Sequence, residues 1–369
     1  MAFSICALMS AYNEEDVIEE SIEKLIAQGL DVYLIDNKST DKTVERAKKF
    51  LGRGLIDIET LVFYENDKEV YNWTGILERK ELLSKQLNHD WFIHTDADEI
   101  RYSPWPGTTL KDSINEVDQL GFNLVNFKLF DFKLTSPVDT EGSLEQKLQY
   151  YAEADSFNSR QVKAWKKCSE IDLVTYGGHL AKVANPRLFP TRFILKHYPV
   201  RSIEQGTKKI LNERLARYSE AEKAKNWHVQ YDHYSKEAKK LARELVVDES
   251  KLEKFCPLTA NLDLNLECNK AFSMLHELSF TKIDKFEKDD YGMLPVTPNV
   301  TQSLISILQN LSSDILDGKE PEKHFPEDID YTINRLLKKR ALSEFLTGKA
   351  DFFDKLLPGC TTLDKPRHQ

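Results

Sequence analysis

The chain has 369 residues, a length that corresponds to about two domains, or to one large domain with an appendage. With 41% hydrophobic and 30% charged residues and only 14 Gly and 13 Pro, it reads as an ordered globule and excludes a disordered or fibrous chain. Its 51 Lys and Arg against 60 Asp and Glu leave a net charge of −9, which excludes diffuse attraction of the whole chain to nucleic acid or anionic lipid.

The apolar run at residues 3–9 has no basic residue before it and is too short for a signal-peptide core or a membrane span, so it is expected to be the first buried strand. Asn13 followed by Glu14, Glu15 and Asp16 is a helix-start signal, with acids where the helix dipole favours them. Ile18, Ile22, Leu25 and Ile26 make one apolar stripe that Gly29 ends, and a strand at 32–35 delivers Asp36 at its tip. The cycle repeats with a helix capped by Ser39 or Asp41 and running to 50, a third strand at 56–64, a helix at 73–88, and a strand at 91–95 ending in Asp96-Ala97-Asp98-Glu99. Such alternation predicts an α/β fold with a mostly parallel sheet and helices on both faces, whose ligands gather at the carboxyl ends of the strands. Asn13 to Asp16, Asp36 to Asp41 and Asp96 to Glu99 all fall at such ends and should converge on one rim.

Further on, the pattern predicts a helix at 110–120, a long strand at 124–134, an irregular polar segment at 135–160, and a hairpin of 171–183 with 188–198 turning at Asn185-Pro186. From 202 onward the chain reads as predominantly helical, with a boundary near 230. The expected division is a domain at 1–230, its nucleotide-binding half at 1–100 and acceptor half at 101–230, followed by a helical region at 231–369. The five cysteines, Cys6, Cys168, Cys256, Cys268 and Cys360, are odd in number and never form a Cys-x-x-Cys pair, which points to a reducing compartment. The expected location is therefore the cytoplasm, with contact at the inner membrane face as an option.

Asp96 and Asp98, two residues apart at a strand tip, can face one hard divalent cation, Mg²⁺ or Mn²⁺; the bland alternative is a solvated acidic turn. Asp36-Asn37-Lys38-Ser39-Thr40-Asp41 suits a ligand loop or simply a capped turn. Tyr12 suits stacking on a flat base or an ordinary half-buried position. Arg79 sits in Glu78-Arg79-Lys80-Glu81, which would also serve as a solvated helix face.

Together, Ser10-Ala11-Tyr12-Asn13-Glu14, Leu34-Ile35-Asp36-Asn37-Lys38-Ser39-Thr40-Asp41 and His94-Thr95-Asp96-Ala97-Asp98-Glu99 resemble glycosyltransferase family 2, with its GT-A fold. The resemblance covers roughly residues 3–135. It implies that the first stretch meets the nucleotide, the second holds base and ribose, and the third is a metal-binding DxD. Tyr12, Glu14, Asp36, Asn37, Arg79, Asp96 and Arg201 are thereby candidates for nucleotide-sugar binding, and Asp96, Asp98 and His197 for the metal. His197 follows from the family habit of a histidine after the DxD, and with Arg201 and Lys208 it makes a cluster suited to phosphate oxygens. Two departures stand out. The family often has a second aspartate where this chain has Asn37, which opens the identity of the base, with a UDP-sugar favoured. It also places an acid after a Gly-Gly turn, whereas Gly177-Gly178 is followed here by His179, so His179 and Asp172 are the candidates for general base. Tyr176-Gly177-Gly178-His179, the stretch at 196–202 and that at 226–232 resemble a less familiar bacterial branch.

The implied activity is inverting, metal-dependent transfer from a nucleotide-sugar to a carbohydrate or lipid-linked hydroxyl, in glycan or cell-surface polysaccharide synthesis, with no nucleic-acid partner. Two competitors are a non-catalytic nucleotide-sugar or carbohydrate-binding protein of the same fold, and a nucleotidyltransferase. The latter calls for a Gly-rich phosphate loop after the first strand, and residues 10–14 hold no glycine.

Overall fold

A computed structural model describes residues 2–255 except 106, 120, 137–140, 154–160, 185, 187, 190–191, 215–216 and 218–233. The expected boundary near 230, the 226–232 motif and the region at 231–369 apart from 234–255 lie outside the described residues.

The first strand, β1 (Ile5–Ala11), is buried along its whole length, as a strand covered on both faces must be. Helix α1 (Ile18–Ala27) turns Ile18, Ile22 and Leu25 inward and leads to β2 (Asp31–Asp36). A short α2 (Thr43–Ala47) with a 3₁₀ turn leads to β3 (Leu55–Thr60). After a small hairpin, β4 (Phe63–Glu65) with β5 (Lys68–Val70), comes α3 (Trp73–Gln86), capped where the Asn72 side chain accepts the Gly75 N–H at 2.9 Å. Then β6 (Trp91–Asp96), β7 (Glu99–Tyr102), α4 (Leu110–Gln119) and β8 (Leu124–Phe132) follow. The remaining elements are α5 (Leu144–Lys147), β9 (Tyr150–Glu153), β10 (Val162–Lys166), β11 (Ile171–Asp172), β12 (Lys182–Val183), β13 (Phe193–His197), α6 (Ile203–Lys208), α7 (Ala238–Glu244) and β14 (Glu253–Lys254).

The α/β class expected from the sequence is the one observed. Strands β3, β2, β1 and β6 lie side by side and parallel, and β10, β8, β9 and β14 continue the sheet with antiparallel pairings. The chain leaves β1 toward β2 on one side and returns to β6 on the other, so the reversal of strand order falls beside β1, where open α/β sheets bind ligands.

Several local expectations change. The first helix begins at Ile18 because Asn13 adopts a left-handed backbone (φ 54°) and spends its side chain on the Thr40 N–H and on Glu213. The strand expected at 56–64 stops at Thr60, and residues 63–70 form the β4–β5 hairpin around Asn66 and Asp67, both at positive φ. Residues 150–153, expected to be irregular, pair with β8. The described strands of the expected 171–183 and 188–198 hairpin take other partners: β11 pairs with β12, while β13 lies antiparallel to β7 and parallel to β8. Apolar alternation marked those strands but could not choose their partners.

Gly54 has φ +107°, and a Cβ there would stand 2.6 Å from Ile26 Cγ1. Both the backbone and the packing demand glycine, so Gly54→Ala is expected to destabilise the fold by about 1–3 kcal/mol, read as a lower urea midpoint at unchanged slope.

Candidate functional site

Sheet register builds the site. Asp36 stands beside Ala11 across β1–β2, and Asp96 beside Ser10 across β1–β6, so the two aspartates flank the end of β1. The Asp36 carboxylate accepts the Ser39 N–H at 3.1 Å, and burial raises its pKa against that bond. Asn37 is buried; its Nδ2 donates to the Leu61 carbonyl at 2.7 Å and its Oδ1 accepts from Arg217 at 3.0 Å. The Arg217 guanidinium also lies over the Tyr12 ring, 3.8 Å from its centre.

The DxD turn is held by buried charge. Glu99 accepts from Arg101 and Lys163 and takes the Asp96 N–H at 3.1 Å, which fixes the turn from beneath. Asp96 Oδ1 accepts the Ser10 hydroxyl at 2.6 Å, and its side chain remains 34% exposed. Asp98 is buried and meets Lys209 Nζ at 2.8 Å, His197 Nε2 at 3.8 Å and Arg201 at 4.0 Å. Burial alone would raise the Asp98 pKa, but Lys209, His197 and Arg201 outweigh it and hold the carboxyl well below the usual range. Arg201 also pairs with Glu14 and, at 2.7 Å, with Asp16.

Of the candidate residues, Glu14, Asp98, His197 and Arg201 come together. Arg79 does not join it: its guanidinium makes a bidentate pair with Glu59, at 2.8 and 2.7 Å. Lys208 is replaced by its neighbour, since Lys208 is half-exposed and 3.4 Å from Glu213 while Lys209 reaches Asp98 and Glu14. Asp172 accepts the Thr175 N–H at 2.9 Å and hydroxyl at 2.6 Å, a turn-capping arrangement that lowers its pKa against the cost of burial. His179 Nδ1 meets Gln161 Nε2 at 3.0 Å, directly after the Gly177-Gly178 turn.

Sequence reasoning missed Lys80, Asp131, Lys209, Glu213 and Arg217. Only Lys80 left a signal, because it occupies the buried stripe Trp73, Ile76, Leu77, Lys80, Leu83, Ser84 of α3, where an apolar residue belongs.

Among the described residues no group of three or more His, Cys, Asp or Glu is placed to hold a metal. The pair Asp98 and His197 nevertheless fits an ion shared with a diphosphate, since hard cations are often held by one or two protein ligands plus substrate phosphates. His197 is already oriented for it: Nδ1 meets Asp131 at 3.0 Å while Nε2 faces Asp98.

Residues 6–73 match the family model described as Glycosyl transferase family 2. Over that segment the resemblance to glycosyltransferase family 2 holds. No curated protein matches the chain. Among solved structures, S. aureus TarS is similar at 14% identity and a TM-score of 0.33, over 96% of this chain and 55% of that one, so the chain spans about half of that TarS chain. TarS 1-349 in complex with UDP is similar at 14% identity and TM-score 0.31, and in complex with UDP-GlcNAc at 13% and 0.32, each over 88% of this chain and 95% of that one. Among the described residues no helix is long and apolar enough to cross a membrane.

The His197–Asp131 pair carries a pH signature. Burial lowers the His197 pKa, but Asp131, Asp98 and Glu99 raise it further, for a net rise; burial raises Asp131, but His197 and Lys133 bring it below its usual value. The histidine's contribution to stability is full below its unfolded pKa of about 6.5 and is lost as pH rises through its folded value. The aspartate's is full above about 3.9 and is lost as pH falls through its folded value. In the metal-free protein, proton NMR should place the His197 midpoint above about 6.5, and Asp131→Asn should lower it.

Proposed function

We propose that this chain is an inverting glycosyltransferase that moves a sugar from a nucleotide-sugar to a hydroxyl of a carbohydrate or lipid-linked acceptor. The observation that carries the reading is the meeting of Tyr12, Asp36, Asn37, Asp96 and Asp98 at the tips of β1, β2 and β6, in a chain whose residues 6–73 match the family model. Tyr12 and Asn37 take the base, Asp36 the ribose, and Asp96 and Asp98 the diphosphate end.

Asn37 Nδ2 is committed to the Leu61 carbonyl, and its Oδ1, which accepts from Arg217 at 3.0 Å, keeps one lone pair for a donor on the base. Such an acceptor suits the ring N–H of uracil, although the amino group of cytosine and the ring N–H of guanine are donors too. A UDP-sugar is the favoured donor, and UDP and UDP-GlcNAc, the ligands of the TarS complexes, are the first to try.

In the reaction the acceptor oxygen bonds to the anomeric carbon from one face as the bond to the diphosphate breaks on the other. Asp98 and His197 would hold a divalent ion, Mn²⁺ or Mg²⁺, which supplies charge compensation to the departing diphosphate. Lys209 and Arg201 stand at the same carboxylate and supply donors for phosphate oxygens. His179 is the candidate to take the acceptor proton at Nε2, in the tautomer whose Nδ1–H is donated to the Gln161 amide oxygen once that amide is flipped, because glycines beside it allow close approach and both Asp172 oxygens are committed to Thr175. A lipid-linked acceptor would be met peripherally at the inner face of the membrane.

A thermal-shift experiment checks the donor. UDP with Mn²⁺ should raise the melting midpoint, with a smaller shift for CDP and for UDP without metal. No shift with any nucleoside diphosphate overturns the transferase reading. Asp98→Asn should lower kcat/KM at least about 100-fold. His179→Ala should lower kcat by about 100-fold or more at unchanged UDP affinity. Binding of a UDP-sugar without turnover against any acceptor would instead favour the non-catalytic protein.

A further inference from the structure

Lys80 lies on α3 with 0% of its side chain exposed, directly behind the carboxyl ends of β1 and β6. An unpaired ammonium there would be expensive, so its partners matter. Its Nζ is 2.9 Å from each of the Ser10 hydroxyl, His94 Nδ1 and the Thr95 carbonyl oxygen. Burial brings the Lys80 pKa down to about 7, against the pull of Asp96 and Glu99, and in the charged form three acceptors match the three N–H groups of an ammonium. The Ser10 hydroxyl, receiving from Lys80, has its own proton to give, and it gives it to Asp96 Oδ1 at 2.6 Å. Lys80 itself is 3.9 Å from that oxygen. The relay has one direction, from buried cation through hydroxyl to the half-exposed carboxylate.

The other end of Lys80 is fixed as well. His94 is buried, and accepting at Nδ1 places its ring proton on Nε2, at the Gly177-Gly178 turn. A Cβ on Gly178 would stand 2.8 Å from that Nε2, and the Gly177 carbonyl accepts the Trp73 indole N–H at 2.9 Å. Trp73 in turn lies 5.8 Å from Lys80 Nζ.

We propose that Lys80, acting through Ser10, is a positioning residue that orients Asp96 toward the nucleotide. The assignment rests on the transferase reading above and deepens it, since Lys80 touches no substrate. It leaves Arg79 to its pair with Glu59.

Calorimetric titration of the full chain with UDP in the presence of Mn²⁺ tests this without any turnover. Ser10→Ala and Lys80→Met are each expected to weaken UDP binding about 10-fold or more, the scale found when an outer partner of a ligating group is lost. In an Asp96→Asn background the same substitutions should cost nothing further, because their effect passes through that carboxylate. A merely structural Lys80 would weaken binding equally in both backgrounds. Wild-type affinity in folded Ser10→Ala, or a loss that persists undiminished beside Asp96→Asn, overturns the proposal. Should Lys80→Met fail to fold, the Ser10→Ala and Asp96→Asn pair decides alone. Absence of UDP binding by the unsubstituted chain overturns the transferase reading, and this inference with it.

Discussion

The parallel pairing of β1 with β2 on one side and β6 on the other is the constraint on which the site depends. Strand register has a period of two, so a slip of one residue would turn every side chain at these tips to the opposite face. The pairing therefore has to be over-determined, and it is: β1 is buried throughout, and its neighbours offer Val32 to Ile35 and Trp91 to Ile93 as matching apolar runs. With that register, Ser10, Asp36 and Asp96 have no freedom about which neighbours they meet. The fold spends apolar burial on a backbone position, and the position is what makes a polar group useful.

A second constraint follows from the first. Converging strand tips bring carboxylates together, and like charges in a buried place repel strongly. The structure answers with cations, most of them from far along the chain: Lys209 at Asp98 and Glu14, Arg201 at Glu14 and Asp16, and Lys163 beside the neighbouring Arg101 at Glu99. Removing one member of such a set leaves a buried charge unpaired, which is why these pairs tie the carboxyl-terminal segment of the described chain to the first strands. The same cations are the groups a diphosphate would find on arrival.

What the sequence disclosed follows the range of the interactions. Strand tips were legible because continuous apolar runs and the turn residues after them are local signals; Asp36, Asp96 and Asp98 could be placed on one rim before any coordinates. Gly29, at φ +83°, ends α1 as its position in the chain implied. The partners of the site residues were not legible. Lys209 lies 111 residues from Asp98 and Arg201 lies 185 from Asp16, and no spacing rule reaches that far. The choice between Lys208 and Lys209 was a matter of helix phase, set by the π-helical turn at Lys209–Arg214, which a 3.6-residue period does not foresee. Lys80 was legible and was overlooked: a lysine on the buried stripe of α3 is a local contradiction, and such contradictions mark places where function overrides packing.

The two aspartates of the Asp-Ala-Asp turn are treated differently. Asp98 is buried and meets Lys209 and Arg201, which are buried with it, and His197, which is 30% exposed. Asp96 is held from behind by Ser10 and Lys80, which cannot move because the sheet and α3 enclose them. Asp98 is thus neutralised by several charged partners at once, whereas Asp96 has its direction set by a single buried hydroxyl and keeps its other side to solvent. One short turn serves both because Glu99 anchors it from below and leaves each aspartate to its own set of neighbours.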